Sequence, residues 1–181
     1  MKKILFLLMV LSFGFIGNAQ ITKASLTASG LTCSMCSKAV KEAIEEVSFV
    51  EKVQVDIKNQ RYNITFKNET PIDLDALGKA VEDAGFSVAS LTVTANVPEV
   101  KVAKDQHFQI GDHYFHFLNA SGQQLVGTAT FKLVDKQFVP AKEFKKYSAA
   151  SKMECVQTGK AAKCCTADNI AEQTRVYHAV I

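Results

Sequence analysis

Over residues 21–95 the apolar residues switch repeatedly between a period of two and a helical period, and few folds accommodate the resulting order. Ile21, Ala24, Leu26 and Ala28, with polar residues between the last three, predict a strand that ends at Gly30. Ala39, Val40, Ala43, Ile44 and Val47 then fall on one helical face from about Ser37, while Lys38, Lys41, Glu42, Glu45 and Glu46 take the other. Val53, Val55 and Ile57 alternate with polar residues, as do Tyr62, Ile64 and Phe66, with Asn59-Gln60 as the turn between two strands. Thr70-Pro71 and Asp73 supply helix-start chemistry ahead of Leu74, Leu77, Ala80, Val81 and Ala84, and Gly85 stops that helix. Phe86 to Thr94 returns to strand composition. Strand, helix, strand, strand, helix, strand predicts a ferredoxin-like βαββαβ sandwich with both helices on one sheet face.

Ahead of this pattern lies a different kind of segment. Met1-Lys2-Lys3 is a basic start, Ile4 to Ile16 is apolar, and Gly17-Asn18-Ala19 offers small residues before Gln20. This layout predicts a signal peptide over residues 1–19. The apolar run is shorter than the ~20 residues that a membrane span needs. The expectation is an exported chain, periplasmic or secreted, with no membrane insertion after cleavage. With 21 basic residues against 18 acidic ones and a net charge of +3, the chain lacks the charge that nucleic acid would require.

The loop between the first strand and the first helix reads Gly30-Leu31-Thr32-Cys33-Ser34-Met35-Cys36. Two cysteines separated by two residues at a helix start have a specific consequence. The unpaired N–H groups and partial positive charge of the helix terminus favour thiolate, and thiolates select soft ions over magnesium or calcium. The spacing allows both sulfurs to turn toward one ion.

This segment resembles the heavy-metal-associated domain family, whose hallmark is a Gly-Met-Thr-Cys-x-x-Cys loop between strand one and helix one. The resemblance covers Gly30, Thr32, Cys33 and Cys36, the element order of residues 21–95, and Glu82-Asp83-Ala84-Gly85-Phe86 after the second helix. It implies a domain that holds one soft ion between Cys33 and Cys36 and hands it to a partner by ligand exchange, with Phe86 closing over the loop. Leu31 stands where the family usually has Met, a swap of similar volume. Phe86 stands where copper chaperones of the cytosol often carry Lys, so it supplies no charge to offset a bis-thiolate. Exported members of the family include periplasmic mercury-binding proteins. Cu(I) is therefore the first expectation, with Hg(II), Zn(II) and Cd(II) as alternatives. Met35, between the cysteines, reads as an exposed loop residue or partner contact rather than a third ligand. A metal-transporting or metal-accepting protein is the implied partner.

An exported Cys-x-x-Cys at a helix start is also the signature of thiol–disulfide exchange. No Trp precedes Cys33, no Pro lies between the pair, and the element order departs from the thioredoxin-like one, so this is the lesser reading. No phosphate loop or nucleophile elbow is present, and the chain is not expected to be an enzyme.

Residues 97–105 read as a linker into a small mainly β domain at 106–181. Short runs at His107–Ile110, His113–Leu118, Thr128–Val134, Phe138-Val139 and Val176–Ile181 predict strands, and Glu143–Ala150 predicts a helix. The five cysteines of the chain cannot form a closed disulfide framework. Cys155, Cys164 and Cys165 leave two readings: one disulfide from Cys155 to Cys164 or Cys165, or a second soft-metal site of two or three sulfurs, with or without a histidine. His107, His113, His116 and His178 each read first as surface or packing residues. His113 and His116, offset by three, face opposite sides of a strand and cannot share an ion.

Overall fold

A computed structural model describes residues 19–181; the expected signal peptide lies outside the described residues. The first strand, β1 (Gln20–Ser29), buries Ile21, Ala24, Leu26 and Ala28. A register shift between Ile21 and Lys23 explains the offset of three at its start, because a bulge resets the alternation of side chains. Helix α1 (Ser34–Glu45) begins earlier than its apolar stripe, at the Cys-x-x-Cys loop, and buries Val40 and Ile44. Strands β2 (Val50–Asp56) and β3 (Arg61–Phe66) form an antiparallel hairpin in which Asp56 accepts from the Asn59 backbone and side chain at 3.1 and 2.7 Å.

Helix α2 (Leu74–Asp83) is capped by Asp73, whose carboxylate accepts from Asp75 N–H. Its exit is a Schellman turn: Gly85 adopts φ +86°, Gly85 N–H reaches Glu82 O at 2.9 Å, and Phe86 N–H reaches Val81 O at 3.1 Å. That turn aims Phe86 back toward the loop before α1.

The last strand of the expected domain, β4, runs from Ser87 to Val102 over 16 residues, far longer than a usual strand. Its first half pairs with β1, and β3 lies on the other side of β1, giving the order β2-β3-β1-β4 of a ferredoxin-like sheet. The expected linker at 97–105 is therefore corrected: through Val102 it is strand. Pro98 reads as a break in sequence, but it falls in a register shift between Val97 and Val100, where a missing N–H costs no ladder bond.

Residues beyond the linker do not form a separate sheet. Strand β7 (Gln123–Leu133) pairs along β4 from Leu91 to Val102, and β8 (Val176–Val180), β6 (His113–Phe117) and β5 (His107–Ile110) follow. The result is one eight-stranded sheet, ordered β2-β3-β1-β4-β7-β8-β6-β5, in which only β6 and β8 run parallel. Phe138-Val139, expected as strand, is a turn closed by Phe138 N–H to Asp135 O at 2.9 Å. The helix expected at 143–150 is α3 (Ala141–Ser148), and two short elements follow: α4 (Cys155–Thr158) and a 3-10 helix (Lys163–Asp168).

Alternation along the C-terminal strands assigns the two faces. Phe115, Phe117, Phe131, Leu133, Tyr177 and Ala179 join the core beneath α1 and α2. Leu118, Val134, Val176 and Val180 face the other way, onto a second core with Cys155, Val156, Ala161 and Cys165. No helix among the described residues is long and apolar enough to cross a membrane.

Candidate metal centre

Cys33 is the N-cap of α1, in an extended backbone conformation, and its Sγ accepts from Cys36 N–H at 3.4 Å. A thiol here does what Ser or Thr does at most helix starts. The two sulfurs lie 2.9 Å apart and are not bonded. Cys33 is exposed and Cys36 half-buried. The Cys36 thiol is held below its ordinary pKa, first by the hydrogen bond with Cys33, then by the backbone and hydroxyl of Thr32.

Three contacts fix the loop. Gly30 adopts φ +87°, and a Cβ there would lie 3.8 Å from the Phe86 ring, so the aromatic closes against the loop as expected. Leu31 packs partly buried against the main core. The fully buried Tyr62 donates to Ser37 O at 3.2 Å, and its hydroxyl lies 3.0 Å from Ser37 Oγ. The strand β3 thereby grips the turn that carries Cys36. Tyr62 read in sequence only as a core residue; its tie to Ser37 spans 25 positions and leaves no local signal. Met35 is 68% exposed on the rim.

The other cysteines come together elsewhere. Cys155, Cys164 and Cys165 place their sulfurs within 4.8 Å of one another, all as free thiols, so the 155-to-164/165 disulfide does not form in this structure. His107, His116 and Cys155 form a second set of mutually close donors, all buried. His113 turns to the opposite face, as the strand offset requires, and its Nε2 lies 2.8 Å from Ile72 O. His116 is pushed down to about 4 by burial and by its neighbours His178 and His107, with Asp105 opposing, so its imidazole is neutral near pH 7. Burial pushes the Cys155 thiol strongly up, and the neighbouring Cys165 and Cys164 add to the shift. In sequence these histidines read first as surface or packing residues, with one of them as an optional partner of the three cysteines; their common face emerges only once β5 and β6 are paired.

Paired free thiols at the helix start of a βαββαβ sheet define a class, a thiol-bearing ferredoxin-like metal-site domain. The family model "Heavy-metal-associated domain" matches residues 25–87, which include both cysteines. The chain is 37% identical over 68 residues to the mercuric transport protein periplasmic component of Serratia marcescens, covering 38% of this chain and 74% of that protein. The chain belongs to the heavy-metal-associated domain family. It is also 37% identical over 65 residues to a copper-transporting ATPase of Helicobacter pylori, which is 36% of this chain and only 9% of that ATPase. Among solved structures, oxidized MerP from Ralstonia metallidurans CH34 is 36% identical, covering 39% of this chain and 96% of that one at a TM-score of 0.33.

Proposed function

We propose that this chain is an exported soft-metal carrier that takes one ion, Cu(I) first, between the Cys33 and Cys36 thiolates. The observation that carries the reading is the unbonded pair of sulfurs 2.9 Å apart at the start of α1, one exposed and one half-buried. Each thiol releases its proton to solvent as it bonds the ion. With metal–sulfur bonds of about 2.3 Å, a two-coordinate ion holds its sulfurs up to about 4.6 Å apart, so the pair at 2.9 Å must open by up to about 1.7 Å. Cys33, on the exposed rim, makes that movement. An incoming thiolate from an acceptor protein then adds to the ion, giving a three-coordinate state, and Cys33 leaves. No bond of a substrate is made or broken, and the chain acts as a carrier rather than an enzyme. The acceptor is a metal-transporting or metal-binding protein in the periplasm or outside the cell, and residues 106–181 serve as its mainly β accessory module.

Hg(II) is the second reading, and Phe86 favours it. Two thiolates around Cu(I) leave a net negative charge, which an apolar ring does nothing to offset, whereas two around Hg(II) are neutral. Zn(II) and Cd(II) complete the soft and borderline set, and 37% identity to the periplasmic mercuric transport component supports keeping Hg(II) beside Cu(I).

Competition among Cu(I), Zn(II), Cd(II) and Hg(II) for the reduced chain, followed by transfer to a chromophoric chelator, tests the proposal. The chain is expected to release one rapidly exchanging equivalent, which Cys33→Ser/Cys36→Ser abolishes. Rapid exchange that survives in the double variant overturns the reading. So does catalysis of insulin disulfide reduction without a bound ion, which would install the thiol–disulfide alternative.

A further inference from the structure

The row of histidines across the C-terminal half of the sheet has no part in the carrier site. His107 on β5 and His116 on β6 are cross-strand partners, and His116 is in turn the partner of His178 on β8. All three rings project to the same face, toward α4 and the 3-10 helix, and all three are buried, His116 and His178 almost completely. Buried histidines in a row are costly unless each nitrogen has a partner.

Each ring has one nitrogen held by a carboxylate. His107 Nδ1 lies 2.7 Å from Asp168 Oδ2, His116 Nε2 lies 3.2 Å from Asp105 Oδ1, and His178 Nδ1 lies 2.9 Å from Asp135 Oδ1. A carboxylate only accepts, so those nitrogens carry the protons and the opposite nitrogens present lone pairs. For His107 and His116 the opposite nitrogens converge on one atom: Nε2 of His107 and Nδ1 of His116 are each 3.8 Å from Cys155 Sγ. One thiol has one hydrogen and cannot satisfy both. His178 Nε2, equally buried, has no hydrogen-bond partner among the described residues. The inward side of the row is therefore rich in lone pairs and short of donors, the condition that a cation corrects.

Two further sulfurs meet the set at Cys155, which belongs both to the histidine group and to a group of three thiols. Cys155 opens α4, and the 3-10 helix brings Cys164 and Cys165 within 4.8 Å of its sulfur, with 3.6 Å between their own. An ion with metal–nitrogen and metal–sulfur bonds of about 2.0 and 2.3 Å holds tetrahedral ligands about 3.5–3.8 Å apart. The 3.8 Å nitrogen–sulfur separations around Cys155 lie a few tenths of an ångström outside the nitrogen–sulfur edge of about 3.5 Å, a gap that small rotations of the side chains close. Imidazoles oriented by carboxylates are the usual outer arrangement of a protein metal site.

We propose that His107, His116 and Cys155, joined by a thiol of the Cys164–Cys165 pair that turns about Cys155 toward the histidines, form a second, resident site for one borderline or soft cation, Zn(II) or Cu(I). The two thiols lose their protons to solvent on binding, and the histidines bind neutral. Unlike the pair at Cys33, this set offers no exposed ligand for an acceptor to displace: His107, His116, Cys155 and Cys165 are buried and Cys164 is half-buried. Its ion stays in place and clips α4 and the 3-10 helix to the sheet.

The test uses the full chain carrying Cys33→Ser/Cys36→Ser, reduced, so that only the second site reads. Titration with Co(II) as a spectroscopic stand-in is expected to give tetrahedral ligand-field bands and thiolate charge transfer saturating at one equivalent. Zn(II) and Cu(I), added separately, should each displace it, and their order of displacement identifies the preferred ion. Cys155→Ser should abolish the signal, and Cys164→Ser/Cys165→Ser should remove tetrahedral character. Asp168→Asn, at a half-exposed position that leaves the core intact, should weaken Co(II) and Zn(II) about 10–100-fold through His107. Circular dichroism of each variant without metal checks that it is folded. Absence of tetrahedral Co(II) in the folded parent overturns the proposal, as does full binding in Cys155→Ser or unchanged affinity in Asp168→Asn.

Discussion

Asp135 concentrates more of the C-terminal half's polar bonding than any sequence pattern around it suggests. Its carboxylate accepts from His178 N–H and lies 2.9 Å from His178 Nδ1, while Arg175 Nη1 reaches it at 3.1 Å. Burial pushes its pKa up, but the hydrogen bonds from His178, with the Arg175 guanidinium, more than offset this and hold it below the usual range. A depressed carboxylate means that the unfolded chain binds the proton more readily. The stabilisation is thus complete above the unfolded value of about 4 and is lost as pH falls through the folded value. Asp135→Asn removes the charge and is expected to cost about 3 kcal/mol at neutral pH. That cost should shrink as the wild-type carboxyl protonates in acid. Urea midpoints measured from pH 7 downward check it, and a cost that stays constant into strong acid would refute the assignment. Residue by residue, Cys33 and Cys36 were legible because their chemistry depends on local spacing at a helix start. Asp168 on His107 and Asp105 on His116 were not, since each tie joins strands and loops whose proximity only the sheet order creates.

At the level of elements, α2 shows how the two halves were fitted together. Its apolar stripe reads plainly in sequence, yet Gly78 in the middle of that stripe is among the poorest residues for a helix interior. The space explains it: a Cβ at Gly78 would meet Phe138 Cε1 at 3.3 Å, and Phe138 is fully buried. Phe138 comes from the turn after β7 that sequence composition had marked as strand. Its apolar, β-forming character predicts strand, while the turn set by Asp135 leaves no local signal without the partner strands. Replacing Gly78 with Ala should gain about 1 kcal/mol of helix propensity and lose about 1–3 kcal/mol to overpacking. The expected outcome is a lower melting temperature, measured by circular dichroism. A rise of several degrees would mean that Phe138 yields, and that α2 rests on the C-terminal half less firmly than this packing implies. The same reasoning explains β4, where alternation continued past Thr94 but Asn96-Val97-Pro98 resembled a linker. The bulge between Val97 and Val100 lets the strand absorb its proline and continue.

For the whole molecule the question is whether the family domain is a unit that happens to carry an extension. A free ferredoxin-like sheet of this order ends at β4, an edge with open hydrogen-bonding groups. Here β7 covers that edge along residues 91–102. The main core is shared, with Phe115, Phe117, Phe131 and Tyr177 packed among residues of β1 to β4. Arg175, just before β8, closes a bidentate pair with Asp75 in α2 at 2.8 and 3.0 Å and lies 4.2 Å over the Tyr177 ring. Bidentate geometry between distant elements adds orientation as well as energy. These links argue that removing the C-terminal half would uncover both an edge strand and an apolar surface. The two halves are therefore expected to unfold as one cooperative unit, which a reading of two modules joined by a linker does not anticipate. Scanning calorimetry of the reduced, metal-free chain should show one cooperative transition. Its van't Hoff enthalpy should be roughly 110 kcal/mol, as expected if about 160 residues melt together. Two independent units would instead give separate transitions or an apparent enthalpy of roughly half that value. Either result would separate the sheet into the modules that its hydrogen bonding joins.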